Sequence, residues 1–357
     1  MKNLLPGLIL FLLSSAVAAG STITIGPGAG SFIVAGGEGR EDRSIEVHYY
    51  RPATLTTASP VLMVLPGAGR NGGDYRDAWK EAAERHGVLI LSPSYDETHY
   101  PGYWSYSLGN MAASIRLDIS VQVDANPAQW KLADVLKAAE GDALLDRLAS
   151  DSAPLHQLAL LSLAGMLQNT AISAGGVVVN PDRSAWIYAD FDWIFQAARD
   201  ALGLATERHD MFGHSAGGQI LHRYALFHPD GHADRIVAAN SGWYTLPGFD
   251  EPFPYGLAGT GITEADLRRA FASRLIVFLG ERDDEHETRG SLRNTPETSR
   301  QGPGRRQRGQ YFFAISRATA QDMKAEFNWQ LEVVPNVGHE YRRMADAAAE
   351  YLYAKGD

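Results

Sequence analysis

The stretch Asp210-Met211-Phe212-Gly213-His214-Ser215-Ala216-Gly217-Gly218-Gln219 decides how this sequence reads. A strand-like segment, His209 to Phe212, runs into Gly-x-Ser-x-Gly, and a segment with helical character, Ala216 to Leu226, follows. That order predicts a strand, a sharp turn and a helix with Ser215 at the apex. Five-residue matches occur by chance, so the context carries the weight: a serine on such a turn needs small neighbours, because the backbone is strained and closely packed. The helix start also aims backbone N–H groups at whatever the serine attacks, which makes the Ala216 amide one expected oxyanion donor. The competing reading, a serine that only caps a helix, loses ground to the residues downstream.

A serine hydroxyl is a weak nucleophile until a base takes its proton. His339, in Val337-Gly338-His339-Glu340, lies between a predicted strand, Gln330 to Val334, and a predicted closing helix, Tyr341 to Tyr353. An acid must then orient the histidine. The predicted strand Leu275 to Leu279 leads into Gly280-Glu281-Arg282-Asp283-Asp284, which makes Asp283 the expected acid and Asp284 the reserve. A second oxyanion donor is expected after the apolar run Val61 to Leu65, in Pro66-Gly67-Ala68-Gly69-Arg70-Asn71-Gly72-Gly73. There the Ala68 amide is the first choice, with Gly67 and Gly69 as alternatives. A phosphate loop is disfavoured because no Gly-Lys-Ser/Thr follows.

Working outward, continuous apolar runs alternate with helical spacing. Ser21 to Ile25, Ser31 to Val34 and Ser44 to Tyr50 read as antiparallel edge strands. Val61 to Leu65 and Val88 to Leu91 read as buried strands flanking a helix within Asp74 to His86. A helix from Trp186 to Leu202, a strand from Arg235 to Ala239, a loop-rich stretch and a helix from Tyr311 to Phe327 continue the pattern. Strands apolar throughout and separated by helices predict an α/β fold with a mostly parallel sheet covered on both faces. The pattern breaks between Met111 and Pro181, where leucines at helical spacing predict two helices, Trp130 to Leu148 and Pro154 to Leu167. Residues 112–181 are read as an inserted helical cap or lid.

Two aromatic groups follow predicted strands on the same edge of the sheet. Tyr103 and Trp104 in one, Trp243 and Tyr244 in the other, are candidates for a substrate wall, with ordinary packing the alternative. Arg300, Arg305, Arg306 and Arg308 form a local basic cluster, read chiefly as a solvated loop or helix start and otherwise as an anion contact.

Together Leu65-Pro66-Gly67-Ala68-Gly69, the serine turn, Gly280 to Asp283 and Gly338-His339 resemble the α/β-hydrolase superfamily over most of the chain outside Met111 to Pro181. Within it the sequence is similar to secreted bacterial polyester depolymerase-like and feruloyl-esterase-like hydrolases. Pro66 departs from the histidine that many relatives carry before the oxyanion glycine. The resemblance implies acyl transfer through a covalent serine intermediate, on a small-molecule or polymeric ester, without cofactor or metal. A peptidase of the same fold and a non-catalytic binding protein on this scaffold are the rival readings.

Bulk properties set the frame. The 357 residues, 45% of them hydrophobic and 21% charged, suit one large globular domain with an insertion. A formal charge of -10, from 32 basic and 42 acidic residues, gives no support to nucleic-acid binding. The opening residues place Lys2 before an apolar run, Leu4 to Leu13, and end in Ala16-Val17-Ala18-Ala19, the layout of a secretory signal peptide over residues 1–19. The run is too short, and too interrupted by Pro6 and Gly7, for a stable membrane anchor. An exported chain, periplasmic or extracellular, follows as the expectation, with residues 20–357 as the hydrolase domain. Without cysteine it forms no disulfide and offers no thiol nucleophile. The oligomeric state is not legible in the sequence.

Overall fold

The computed structural model describes residues 23–121 and 170–354. The expected signal peptide and the two insert helices lie outside the described residues. Strands β1 (Gly28–Val34) and β2 (Ile45–Arg51) open the chain, followed by β3 (Val61–Leu65), helices α1 (Gly72–Ala78) and α2 (Lys80–His86), and β4 (Leu89–Ser94). A short helix α3 (Gly102–Tyr106) precedes β5 (Ala112–Val121) and β6 (Thr170–Val179). Then come α4 (Tyr188–Leu202), β7 (His209–His214), α5 (Ala216–Phe227), β8 (Ala233–Ala239), α6 (Glu264–Ala272) and β9 (Arg274–Gly280). Helices α7 (Pro296–Gln301) and α8 (Arg305–Asp322), β10 (Gln330–Val334) and α9 (Tyr341–Tyr353) complete the described chain.

Among the described residues, eight strands form one sheet in the order β1-β2-β4-β3-β7-β8-β9-β10. The first two pairings are antiparallel and the rest parallel. Strand β3 shows why the run Val61 to Leu65 is apolar throughout. Val61, Met63 and Leu65 face the hydrophobic cluster that holds α4 and α5, while Leu62 and Val64 face the one that holds α1, α2 and α9. Alternate side chains point to opposite faces, so a strand covered on both sides has no position left for a polar group. Each fully buried aliphatic side chain contributes roughly 1.5–3 kcal/mol over an exposed one, and this burial drives the layering.

Several local expectations need correction. Residues 23–26 form no strand, although Ile25 is buried and its carbonyl accepts a hydrogen bond from Arg51. The helix expected within Asp74 to His86 is broken at Trp79, which belongs to neither half. The loop-rich stretch after Ala239 contains α6, begun by a capping box in which Thr263 and Asp266 bond reciprocally. Helix α8 starts six residues before Tyr311 and ends before Phe327. It reaches back because one of its first amides, that of Arg306, is satisfied by the Asp283 carbonyl at 2.8 Å. The described stems of the insert, β5 and β6, pair as a separate antiparallel ribbon, tied at its base by the Asn180 amide to the Met111 carbonyl.

One buried ion pair fastens the early loops to the fold. Arg40 Nη2 and Asp190 Oδ1 lie 2.7 Å apart, Arg40 Nη1 donates to Asp190 Oδ2 at 2.8 Å, and both side chains are all but inaccessible. Asp190 sits in the first turn of α4, where the helix dipole also favours an anion.

Candidate active site

Four sheet strands deliver their following loops to one edge. Strand β7 leads into Ser215, which holds φ 59° and ψ -113° and caps α5 without a side-chain bond. A non-glycine residue keeps positive φ only where its surroundings enforce it. Here the turn is squeezed from below. A Cβ on Gly213 would come within 2.5 Å of the Gly217 carbonyl, and one on Gly217 would collide with the Leu65 carbonyl of β3. The two motif glycines are thus required by close approach, and the Ser215 amide is fixed by the Ala239 carbonyl at 2.9 Å.

The loop after β10 brings His339 over this turn. Its Nε2 lies 3.1 Å from Ser215 Oγ and its Nδ1 lies 2.7 Å from Asp283 Oδ2. Asp283, from the loop after β9, is fully buried. Asp284 points elsewhere: one carboxylate oxygen accepts the His286 amide, and the other lies 3.7 Å from Arg306. Of the two adjacent aspartates, the first alone meets the histidine.

Three groups hold this arrangement, and none was singled out for that part from the sequence. Asn240, buried at the end of β8, accepts the Gly280 amide at 2.7 Å and donates to the Gly338 carbonyl at 3.1 Å, so one side chain ties three strand ends together. Glu287 accepts the His339 amide at 2.8 Å while Arg289 grips the same carboxylate with two nitrogens. The Arg289 bonds come first in holding the Glu287 carboxyl down to about 2, against the opposing push of burial. Arg305 Nη1 donates to Asp283 Oδ1 at 3.0 Å from a fully buried position, and its Nη2 donates to the Ser291 carbonyl. Arg308 is buried as well, donating to the Gly242, Arg293 and Gly302 carbonyls. The reading of this basic cluster as a solvated loop therefore fails at Arg305 and Arg308, which lie three apart on the inward face of α8.

The opposite side of Ser215 is the loop after β3. A Cβ on Gly67 would stand 3.6 Å from Ser215 Cβ and 2.9 Å from the Tyr75 hydroxyl. The Tyr75 hydroxyl lies 3.2 Å from His214 Nδ1. Burial first, then the proximity of His339 and Arg305, pushes the His214 imidazole well below its ordinary range. A neutral ring therefore lies 4.5 Å from that of His339, adding no second charge beside it. Ala68 and Gly69 are exposed at the loop tip, and Ala216 occupies the first position of α5. Helix N-termini leave such amides without intrahelical partners. The Ala68 loop also borders a cavity of about 610 Å³ shared with Glu46, Tyr95 and Glu97.

The aromatic candidates divide. The Tyr103 hydroxyl donates to Gln219 Oε1 at 2.6 Å, one turn beyond Ser215, and its ring lies 6.2 Å from that of Trp243. Trp104 packs edge-on against Tyr103. Trp243 and Tyr244 are fully buried, and Tyr244 stacks on Phe312 at 4.5 Å, so Tyr244 belongs to the core behind the wall. Among the described residues, no group of metal-ligating side chains is arranged to hold an ion, and no helix is long and apolar enough to cross a membrane.

No protein-family model matches this sequence, and neither does any curated protein. Solved structures do. The chain is similar to poly(aspartic acid) hydrolase-1 from Sphingomonas sp. KT-1, with 29% identity and a TM-score of 0.69 over 93% of this chain and all of that one. It is similar to the same degree to a poly(3-hydroxybutyrate) depolymerase from Bordetella parapertussis, over 93% of this chain and 92% of the other. With its mostly parallel sheet and these likenesses, the chain is a hydrolase of the α/β-hydrolase fold that resembles the polyester depolymerases.

Proposed function

We propose that this protein is an exported serine hydrolase that cleaves an ester or related acyl bond through Ser215, His339 and Asp283. One observation supports the reading above all others: His339 stands between Ser215 Oγ and Asp283 Oδ2, with one ring nitrogen at hydrogen-bond distance from each. In this scheme His339 Nε2 takes the Ser215 proton as Oγ attacks the carbonyl carbon. The Ala68 and Ala216 amides receive the oxyanion. His339 then passes the proton to the leaving oxygen as the acyl–oxygen bond breaks. Water, deprotonated by the same imidazole, attacks the acyl-enzyme, releases the acid and restores the Ser215 hydroxyl. Asp283 keeps the ring in the required tautomer and offsets its charge. Losing one oxyanion donor typically raises the barrier by about 3 kcal/mol, which gives the Ala68 loop an importance comparable to that of the side chains.

Residues 112–181 form the cap in this scheme, and the leader over residues 1–19 is removed on export. The substrate is a small or polymeric ester, in keeping with the depolymerase likeness. Labelling with a fluorophosphonate, followed by peptide mapping, tests the assignment: modification at Ser215 that is lost in Ser215→Ala is the expected result, and labelling elsewhere overturns it. Parallel assays on short-chain esters, polyesters and aminoacyl amides separate an esterase from a peptidase.

A further inference from the structure

The aromatic wall next to the Ser215–His339 pair carries positive charge with little to balance it. Arg293 lies in the loop between β9 and α7, three residues beyond Gly290, and a Cβ on Gly290 would stand 3.3 Å from His339 Nε2. Arg293 is half-buried. Its guanidinium lies 5.0 Å from the centre of the Trp104 ring and 6.0 Å from that of Tyr103, and its Nε donates to the Tyr255 hydroxyl at 3.0 Å. Behind this wall sit two more guanidiniums. Arg223 is buried 4.4 Å from the Trp243 ring centre, and Arg308 is buried against the Arg293 carbonyl.

Among the described residues, no carboxylate lies within 4.0 Å of Arg293, Arg223 or Arg308, and Arg305 shares its single carboxylate partner, Asp283, with His339. Burial first, and then the neighbouring Arg305, brings Arg308 down to about 10, so it remains a cation at neutral pH. The buried Nη2 atoms of Arg223 and Arg308 and the Trp243 indole N–H have no acceptor. All three of these groups are donors. Unpaired buried charge is costly, so a layer of this kind favours an anion at its outer surface, where Arg293 is reachable. The chain as a whole is acidic, at a formal -10, so this positive site is local and not a general property of the surface.

We propose that Arg293, lying over Trp104 and Tyr103, binds a carboxylate carried by the substrate, so that the preferred ester bears a free acid group on its chain. The proposal rests on the hydrolase reading above and names the substrate class for that site. The planar guanidinium supplies paired donors matched to a carboxylate, and the rings flank the chain that leads to it. Arg223 and Arg308 act at a distance, by raising the positive potential behind the wall.

The test compares two esters with one leaving group: the 4-nitrophenyl half ester of pimelic acid and 4-nitrophenyl heptanoate, equal in chain length and differing in the terminal carboxylate. The expected ratio of kcat/KM favours the half ester by roughly 10- to 100-fold at low salt, as for one hydrogen bond to a charged group. It should fall toward one in Arg293→Gln, mainly through KM, and return in part with Arg293→Lys. Added salt should shrink it in the wild type. A ratio near one in the wild type, or one unchanged in Arg293→Gln, overturns the proposal. Calorimetric binding of the two esters to Ser215→Ala needs no turnover and separates the two readings. Preferential binding of the half ester there, without wild-type hydrolysis, would sustain the anion site while the hydrolase reading fails; equal binding would remove the site itself.

Discussion

Ser215 combines a half-buried hydroxyl with a backbone that its own side chain disfavours, at φ 59°. Two substitutions separate these properties. Ser215→Ala removes the hydroxyl and keeps the strain, so probe labelling and hydrolysis should vanish with stability unchanged. Ser215→Gly should be equally inactive but more stable to unfolding, by about 1 kcal/mol, the low end for one residue held in a sparsely populated region. A glycine variant that denatures more easily than the alanine variant would show that the surroundings do not enforce the strain. At the acid, Asp283→Asn should lower turnover by roughly 10⁴-fold, the loss known for the best-studied serine triad. Asp284→Asn should leave it near the wild-type rate, because that side chain pairs with Arg306 and the His286 amide. The reverse outcome would move the acid by one residue.

At the scale of elements, the loops rely on charge pairs placed at strand and helix ends. Glu287 anchors the loop that carries His339, and its carboxyl is held down to about 2 from an ordinary 4.5. A depressed carboxyl contributes stability above its unfolded value and loses it as pH falls through the folded one. The stability gap between the wild type and Glu287→Gln should therefore be full above pH 4.5 and close as pH approaches 2. Urea unfolding across that range measures it, and a gap independent of pH would mean that the carboxylate charge is irrelevant to the clamp. The Arg40–Asp190 pair joins the β1–β2 connection to α4 and is far less accessible to solvent. Arg40→Met strands a buried carboxylate and should cost about 3–5 kcal/mol, whereas Arg40→Met with Asp190→Leu should recover most of that. If the double variant is no better than the single one, the loss comes from packing.

For the whole molecule, the segment expected to be an insert leaves and rejoins the described fold through β5 and β6. Strands β5 and β6 pair along their full length as a sheet separate from the central one. Closing this ribbon with a short turn in place of residues 122–169 should leave the central sheet folded and Ser215 reactive toward a fluorophosphonate. If residues 112–181 form a cap, the shortened protein should change its preference among acyl chains of different length and bulk. A folded variant with the wild-type substrate profile would instead place the insert's role away from the site.

Periodicity and turn chemistry are local, so the sequence alone yielded the alternating α/β order, the β10 and α9 boundaries and the glycine-flanked serine turn. It also reduced the acid to two adjacent aspartates. It placed Asp283 first and Asp284 in reserve, but neighbouring side chains leave the backbone in different directions and only the packed loop determines which one meets His339. Arg305 and Arg308 show the same limit from the other side. Four arginines among Gln and Gly read as solvent-facing, since a charged side chain is rarely buried unless something distant satisfies it. The partners here are Asp283, Gly242 and the Ser291 and Arg293 carbonyls, supplied by other elements. Asn240 was equally silent, being one polar residue after a strand until β8, β9 and the His339 loop converge on it. Sequence determined which candidate groups the chain carries and on which loops; tertiary structure decided which polar groups face one another, because that depends on contacts between residues far apart in the chain.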